Sequence, residues 1–172
     1  MTKIFTGIFI LMLFISLGAC VRSTHTAQDA GQKDSLETVS FKNDTLAQVY
    51  TWYTALKNDL VKADSIQAEH AADTLAQILK QIDGCDTSVG ITEKIGTVTD
   101  LKIQRDLFVL LNNDLMPIFR HAKLTAGSIY VQYCPMADNG NGAYWLSSSK
   151  EIRNPYYGNE MLTCGSVKEK IR

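Results

Sequence analysis

The chain is 172 residues long, sets 17 Lys and Arg against 18 Asp and Glu for a formal net charge of −1, and is 45% hydrophobic. That length suits one domain with a modest core. The even charge balance, without a basic run, excludes a nucleic-acid-binding protein. The absence of GxSxG, HExxH and P-loop sequences leaves hydrolase chemistry without a motif, and the reading is of a protein that is not an enzyme.

Lys3 precedes an apolar run from Ile4 to Leu17, which closes on Leu17-Gly18-Ala19-Cys20. Residues 1–19 therefore read as a secretory signal peptide, too short and wrongly flanked for a membrane-spanning helix. The last four residues resemble a bacterial lipobox, which implies lipidation at Cys20; a plain secreted protein or an uncleaved anchor is the alternative. A lipid on Cys20 would tether a soluble domain to a membrane face. By resemblance to enterobacterial sorting, Val21 in place of Asp favours the outer membrane, facing the periplasm. That compartment is oxidising and permits disulfides. Residues 20–42, from Cys20 through His25, are polar and aperiodic and read as a flexible tether, with His25 solvated.

The folded part is expected from about Asn43. Leu46, Val49, Tyr50, Tyr53, Leu56 and Leu60 recur at helical spacing, with Asn43 or Asp44 as cap. Lys62-Ala63-Asp64 is a tight connection, and Asp64-Ser65-Ile66-Gln67 reads as a capping box. Ile66, Ala71, Leu75, Ile78, Leu79 and Ile82 mark the face of a second helix ending at Gly84. The short link makes this pair antiparallel. Cys85 is expected at a helix end as an incidental thiol, with an extra ligand or an intermolecular disulfide as the other readings. Residues 86–99 predict one short helix. A stronger one starts near Asp100 and runs to about Lys123; Pro117 should kink or split it, with Asp114 capping the second half. His121 in its last turn suits the helix dipole better than ligand duty, and His70 reads as a polar-face residue.

After Ala126-Gly127 the texture changes. Residues 128–133 predict a strand, Asp138–Gly142 a turn-rich loop, Ala143–Leu146 a buried aromatic patch, and Asn154–Gly158 a turn that returns the chain toward the strand. The expected fold class is therefore mainly α: an antiparallel bundle of three to four helices over 43–125, followed by a small C-terminal β/irregular subdomain over 126–172.

This subdomain holds Cys134-Pro135-Met136 and Met161-Leu162-Thr163-Cys164. Thiolate and thioether are soft donors that select Cu(I) or Ag(I). In an extended segment Cys134 and Met136 face one side, and in one turn Met161 and Cys164 share a face. If the chain folds back, Cys134, Met136, Met161 and Cys164 can surround one ion. The same spacing also admits a Cys134–Cys164 disulfide with both methionines as core filler. With Cys20 lipidated, three cysteines remain, and they cannot all pair within the chain.

Tyr130–Ala137, Gly142–Ser147, Glu151–Gly158 and Met161–Gly165 together resemble an uncharacterised domain of Bacteroidetes lipoproteins with the signature CPMA, GA-x-WL, IRNPYFG and MLTCG. That domain is similar to one at the C-terminal end of some periplasmic adaptor subunits of copper and silver efflux pumps. Tyr157 stands where Phe is common. Tyr133 stands where some members carry His, which removes one possible ligand and leaves the sulfurs. The resemblance implies a context of copper and silver export; joined to the soft donor set, it leads to the expectation of a periplasm-facing lipoprotein that captures Cu(I) or Ag(I), for buffering or for delivery to an efflux adaptor, with Tyr133, Trp145 and Tyr156 shielding the ion. Two alternatives stand: an envelope interaction module stapled by Cys134–Cys164, and a thiol-redox protein. Against the latter, the cysteines lack a CxxC spacing and an adjacent base.

Overall fold

A computed structural model describes residues 38–172. The signal peptide, Cys20, Val21 and the tether with His25 lie outside the described residues. Helix α1 (Asp44–Lys62) starts where Asn43 accepts a hydrogen bond from the amide of Leu46 at 2.8 Å. It buries Val49, Tyr50, Tyr53, Leu56 and Leu60, the stripe expected from the spacing. Ala63, at φ 61°, turns the chain in the left-handed region. Asp64 then caps α2 (Ser65–Leu79) by accepting from the amide of Gln67 at 3.1 Å. The amide of Asp64 donates back to the Asp59 carbonyl, so it is already satisfied by the end of the preceding helix.

Helix α2 faces its neighbours with Leu75 and Leu79 and with Ala68, Ala71, Ala72 and Ala76, four small side chains that let the backbones approach closely. Ile66, expected on that face, is 50% exposed. It shares the outer face with Glu69 and His70, about 200° around the helix from Ala68. The helix also stops at Leu79, before Gly84. Residues 80–84 form a turn, and Gly84 at φ +83° leads into α3 (Asp86–Ile95).

Asp100 caps α4 (Leu101–Arg120) by accepting from the amides of Lys102 and Ile103. Pro117 lies inside α4 without splitting it. It sits in the last turn, where only one more turn depends on the missing amide. Asp114 accordingly caps nothing; it accepts a hydrogen bond from the Ser88 hydroxyl on α3. The four helices pack in succession, α1 on α2, α2 on α3 and α3 on α4.

A short antiparallel ribbon joins β1 (Ser40–Phe41) to β2 (Leu124–Ala126) and brings Phe41 into the core, slightly upstream of Asn43. The second sheet is antiparallel in the order β4-β3-β5, with β3 (Ile129–Cys134) between β4 (Ala143–Ser147) and β5 (Ser166–Ile171). Helix α4 packs against β4. The edge strand β5 is mostly exposed; Lys168 and Lys170 lie 5.5 and 5.4 Å over the rings of Tyr133 and Tyr130, where charge discourages pairing with another chain. The architecture is the expected helical bundle followed by a small β subdomain. Among the described residues no helix is long and apolar enough to cross a membrane.

A buried polar chain ties bundle to sheet. The Tyr53 hydroxyl on α1 accepts from the amide of Leu146 on β4 and donates to Asn112 on α4. Asn112 donates to the Tyr156 hydroxyl, which donates to the Tyr144 carbonyl. Burial pushes the phenols of Tyr53 and Tyr156 well above their ordinary range, so both stay neutral and keep their donor protons.

Candidate functional site

Cys134 is the last residue of β3, opposite Ala143 on β4, and is fully buried. Pro135 and Met136 follow in a turn rather than in extended chain. The expected alternation therefore does not carry Met136 to the side of Cys134. Met136 is 53% exposed, and its carbonyl accepts from the Tyr157 hydroxyl at 2.5 Å.

Cys164 arrives from thirty residues on, and its Sγ lies 2.7 Å from that of Cys134. Asn154 holds the returning segment. It is fully buried, its amide donates to the Leu162 carbonyl at 2.8 Å, and its side chain donates to the Cys164 carbonyl at 2.9 Å. Its side-chain oxygen accepts from the amide of Tyr156 at 2.8 Å, and its carbonyl accepts from the amide of Gly158 at 3.0 Å. One asparagine thus folds the 154–158 turn and fastens the cysteine strand to it. Gly165 completes the approach at φ +147°, where a Cβ would stand 2.8 Å from the Trp145 ring and 3.0 Å from the Tyr133 carbonyl. A side chain there would push Cys164 away from Cys134.

Met161 closes the turn that carries Cys164: its carbonyl accepts from the amide of Cys164 at 3.0 Å. The expected one-turn spacing of this pair is present. The structure therefore brings the two thiols together, places Met161 in the turn of Cys164, and leaves Met136 at the half-exposed rim. Trp145 and Tyr156 are buried beside the pair, and Tyr133 is half-buried against Tyr144.

The thiol of Cys164 is held above its ordinary range, first by its hydrogen bond with Cys134, then by burial, while the Met136 backbone pulls the other way. The pair stands between two chemical limits. A disulfide needs a separation of about 2.0 Å. Two thiolates on one ion, with bonds of about 2.3 Å, stand about 4 Å apart. Cys164 lies outside regular structure and is half-exposed, whereas Cys134 is fixed in β3.

Cys85 is remote from this chemistry. It is the residue before α3, buried, and burial followed by the carboxylates of Asp114 and Asp86 pushes its thiol up, as for an inert core thiol. His121 ends α4 at the surface and His70 is exposed on α2. Among the described residues no three His, Cys, Asp or Glu side chains converge on one point. Beside the rim, a cleft of about 280 Å³ between α4 and the 137–160 segment is lined by Arg105, Asp106, Asp138, Tyr157 and Glu160.

Asn154 and Gly165 were not singled out from the sequence. Their signals were present as an Asn directly before Pro155 and a Gly directly after Cys164. Lys57 was missed as well, although it interrupts the buried stripe of α1 between Leu56 and Leu60.

Residues 49–127 match the model of a family described as protein of unknown function (DUF3347). The match runs from within α1 through β2 and ends before β3, so both cysteines of the site lie outside it. No curated protein and no solved structure matches the chain.

Proposed function

We propose that the protein is a non-catalytic, lipid-anchored lipoprotein of the cell envelope that captures Cu(I) or Ag(I) on Cys134 and Cys164, with Met136 and Met161 as thioether ligands. The observation that carries the reading is the convergence of two thiols from distant segments, with one methionine in the turn of Cys164 and another two residues beyond Cys134. This donor set is soft and contains no carboxylate or imidazole, which favours a monovalent coinage metal over zinc or calcium. The two thiols bind as thiolates, so capture releases protons and tightens as pH rises. The helices serve as scaffold. The captured ion is buffered or passed to an export adaptor in the periplasm.

The 2.7 Å separation of the sulfurs favours a second reading, an envelope interaction module stapled by a Cys134–Cys164 disulfide. Anaerobic competition for Cu(I) against a chromophoric chelator separates the two. Reduced protein should take one equivalent, lose it when Cys134 and Cys164 are both replaced by Ser, and bind more weakly when Met136 and Met161 are both replaced by Leu. Failure of the reduced wild type to compete leaves the stapled module as the account.

A further inference from the structure

The chain builds a second pocket, of about 430 Å³, between α1 and the end of β4 with the segment that follows it. Lys57 lines it and is 5% exposed, yet no acidic group lies within salt-bridge distance among the described residues. Arg153 and Lys62 line the same pocket, against the single carboxylate of Glu151; Lys62 is engaged by Asp59 at 3.1 Å. Ser147 and Ser148 supply hydroxyls on the facing wall. That wall is fixed from inside: the buried Gln132 on β3 donates to the carbonyls of Ser149 and Glu151 at 2.9 and 3.1 Å.

The stem of Lys57 is buried while its ammonium opens into the pocket, and among the described residues no carboxylate pairs with it; a partly desolvated ammonium of this kind gains from an anion. Here it faces a second cation in a preformed pocket. A tetrahedral oxyanion answers both: it offers acceptors to the ammonium, to a planar guanidinium and to hydroxyls at once.

We infer that the pocket between α1 and residues 147–153 is a binding site for a phosphate group, with Lys57 and Arg153 as its cationic ligands and Ser147 and Ser148 as hydroxyl donors. Burial, then the repulsion from Arg153, holds the Lys57 ammonium down to about 8, with Glu151 opposing. It is still charged at neutral pH, and a bound anion would relieve the repulsion. The group can come from free phosphate or from a phosphate ester such as a lipid headgroup; the chemistry at Lys57 is the same.

The test is thermal unfolding of the full chain in chloride, inorganic phosphate and glycerol phosphate at matched ionic strength. Wild-type Tm should rise saturably by about 5 °C with at least one of the two phosphates, and the one that acts alone or saturates at lower concentration identifies the source. Lys57→Met should unfold at a higher temperature than wild type in chloride and respond to neither phosphate. The variant Arg153→Gln, which removes the repulsion on Lys57, should unfold in chloride at or slightly above the wild-type Tm and need at least about tenfold more phosphate. A general salt effect raises all three proteins alike. An equal response in wild type and Lys57→Met, or no response of wild type to either phosphate, overturns the site.

Discussion

Two buried polar residues decide much of what this domain can do. Lys57 is held at about 8 in the folded protein against 10.5 when exposed, so the unfolded chain binds the extra proton between those values. Stability therefore rises with pH across that window, and below about 8 the buried charge costs roughly 3 kcal/mol. Arg153 and Glu151 face it, with the Lys62–Asp59 pair at the pocket edge. Urea unfolding of wild type and Lys57→Met should show the variant more stable at pH 7 and the gap closing by pH 10; a gap that widens contradicts the assignment. Asn154 acts in the other direction. Asn154→Ala leaves the Cys164 carbonyl and the Tyr156 amide without their partners, at an expected cost of about 3 kcal/mol in urea unfolding. Because it also frees Cys164, Cu(I) affinity should fall about tenfold or more. Both positions carry a signal in the sequence, but neither role follows from it. An Asn before a Pro announces a turn, but not that its side chain reaches a residue ten positions on.

At the scale of elements, caps and apolar spacing made the helices legible. Asn43, Asp64 and Asp100 start α1, α2 and α4 as their residue types predict. Asp100→Ala removes the acceptor for two amides and should cost about 1 kcal/mol, measurable as a lowered urea midpoint with unchanged slope; no change would mean that the first turn of α4 is held by packing alone. The departures have local causes. Ile66 was assigned to the wrong face because an isoleucine outweighs alanine in an apolar pattern, although alanines form the packed stripe. Pro117 was given too much weight because its cost depends on how many turns follow. Strand β5, Ser-Val-Lys-Glu-Lys-Ile, was invisible because an exposed edge strand carries little apolar signal.

For the whole molecule, the bundle and the sulfur subdomain are one core, joined through Tyr53, Asn112 and Tyr156. These residues come from three distant stretches of sequence, and their linkage emerges only in three dimensions. Tyr53→Phe and Tyr156→Phe each break one end of the chain of hydrogen bonds. The double variant should depart from additivity by about 1 kcal/mol in urea unfolding, and strict additivity would mean that the two tyrosines act independently. The same closure brings Cys134 to Cys164. That meeting followed from the predicted turn at 154–158, whereas the unequal placement of Met136 and Met161 depended on Pro135 opening a turn that alternation does not describe.

The central claim is that sulfur alone holds a soft ion at this junction. X-ray absorption at the copper edge, on full-length protein reduced and loaded anaerobically with one equivalent of Cu(I), reads the ligands directly. The account predicts a first shell of two to four sulfurs at about 2.3 Å with no nitrogen or oxygen. A shell dominated by nitrogen or oxygen, or copper lost on desalting, would contradict it.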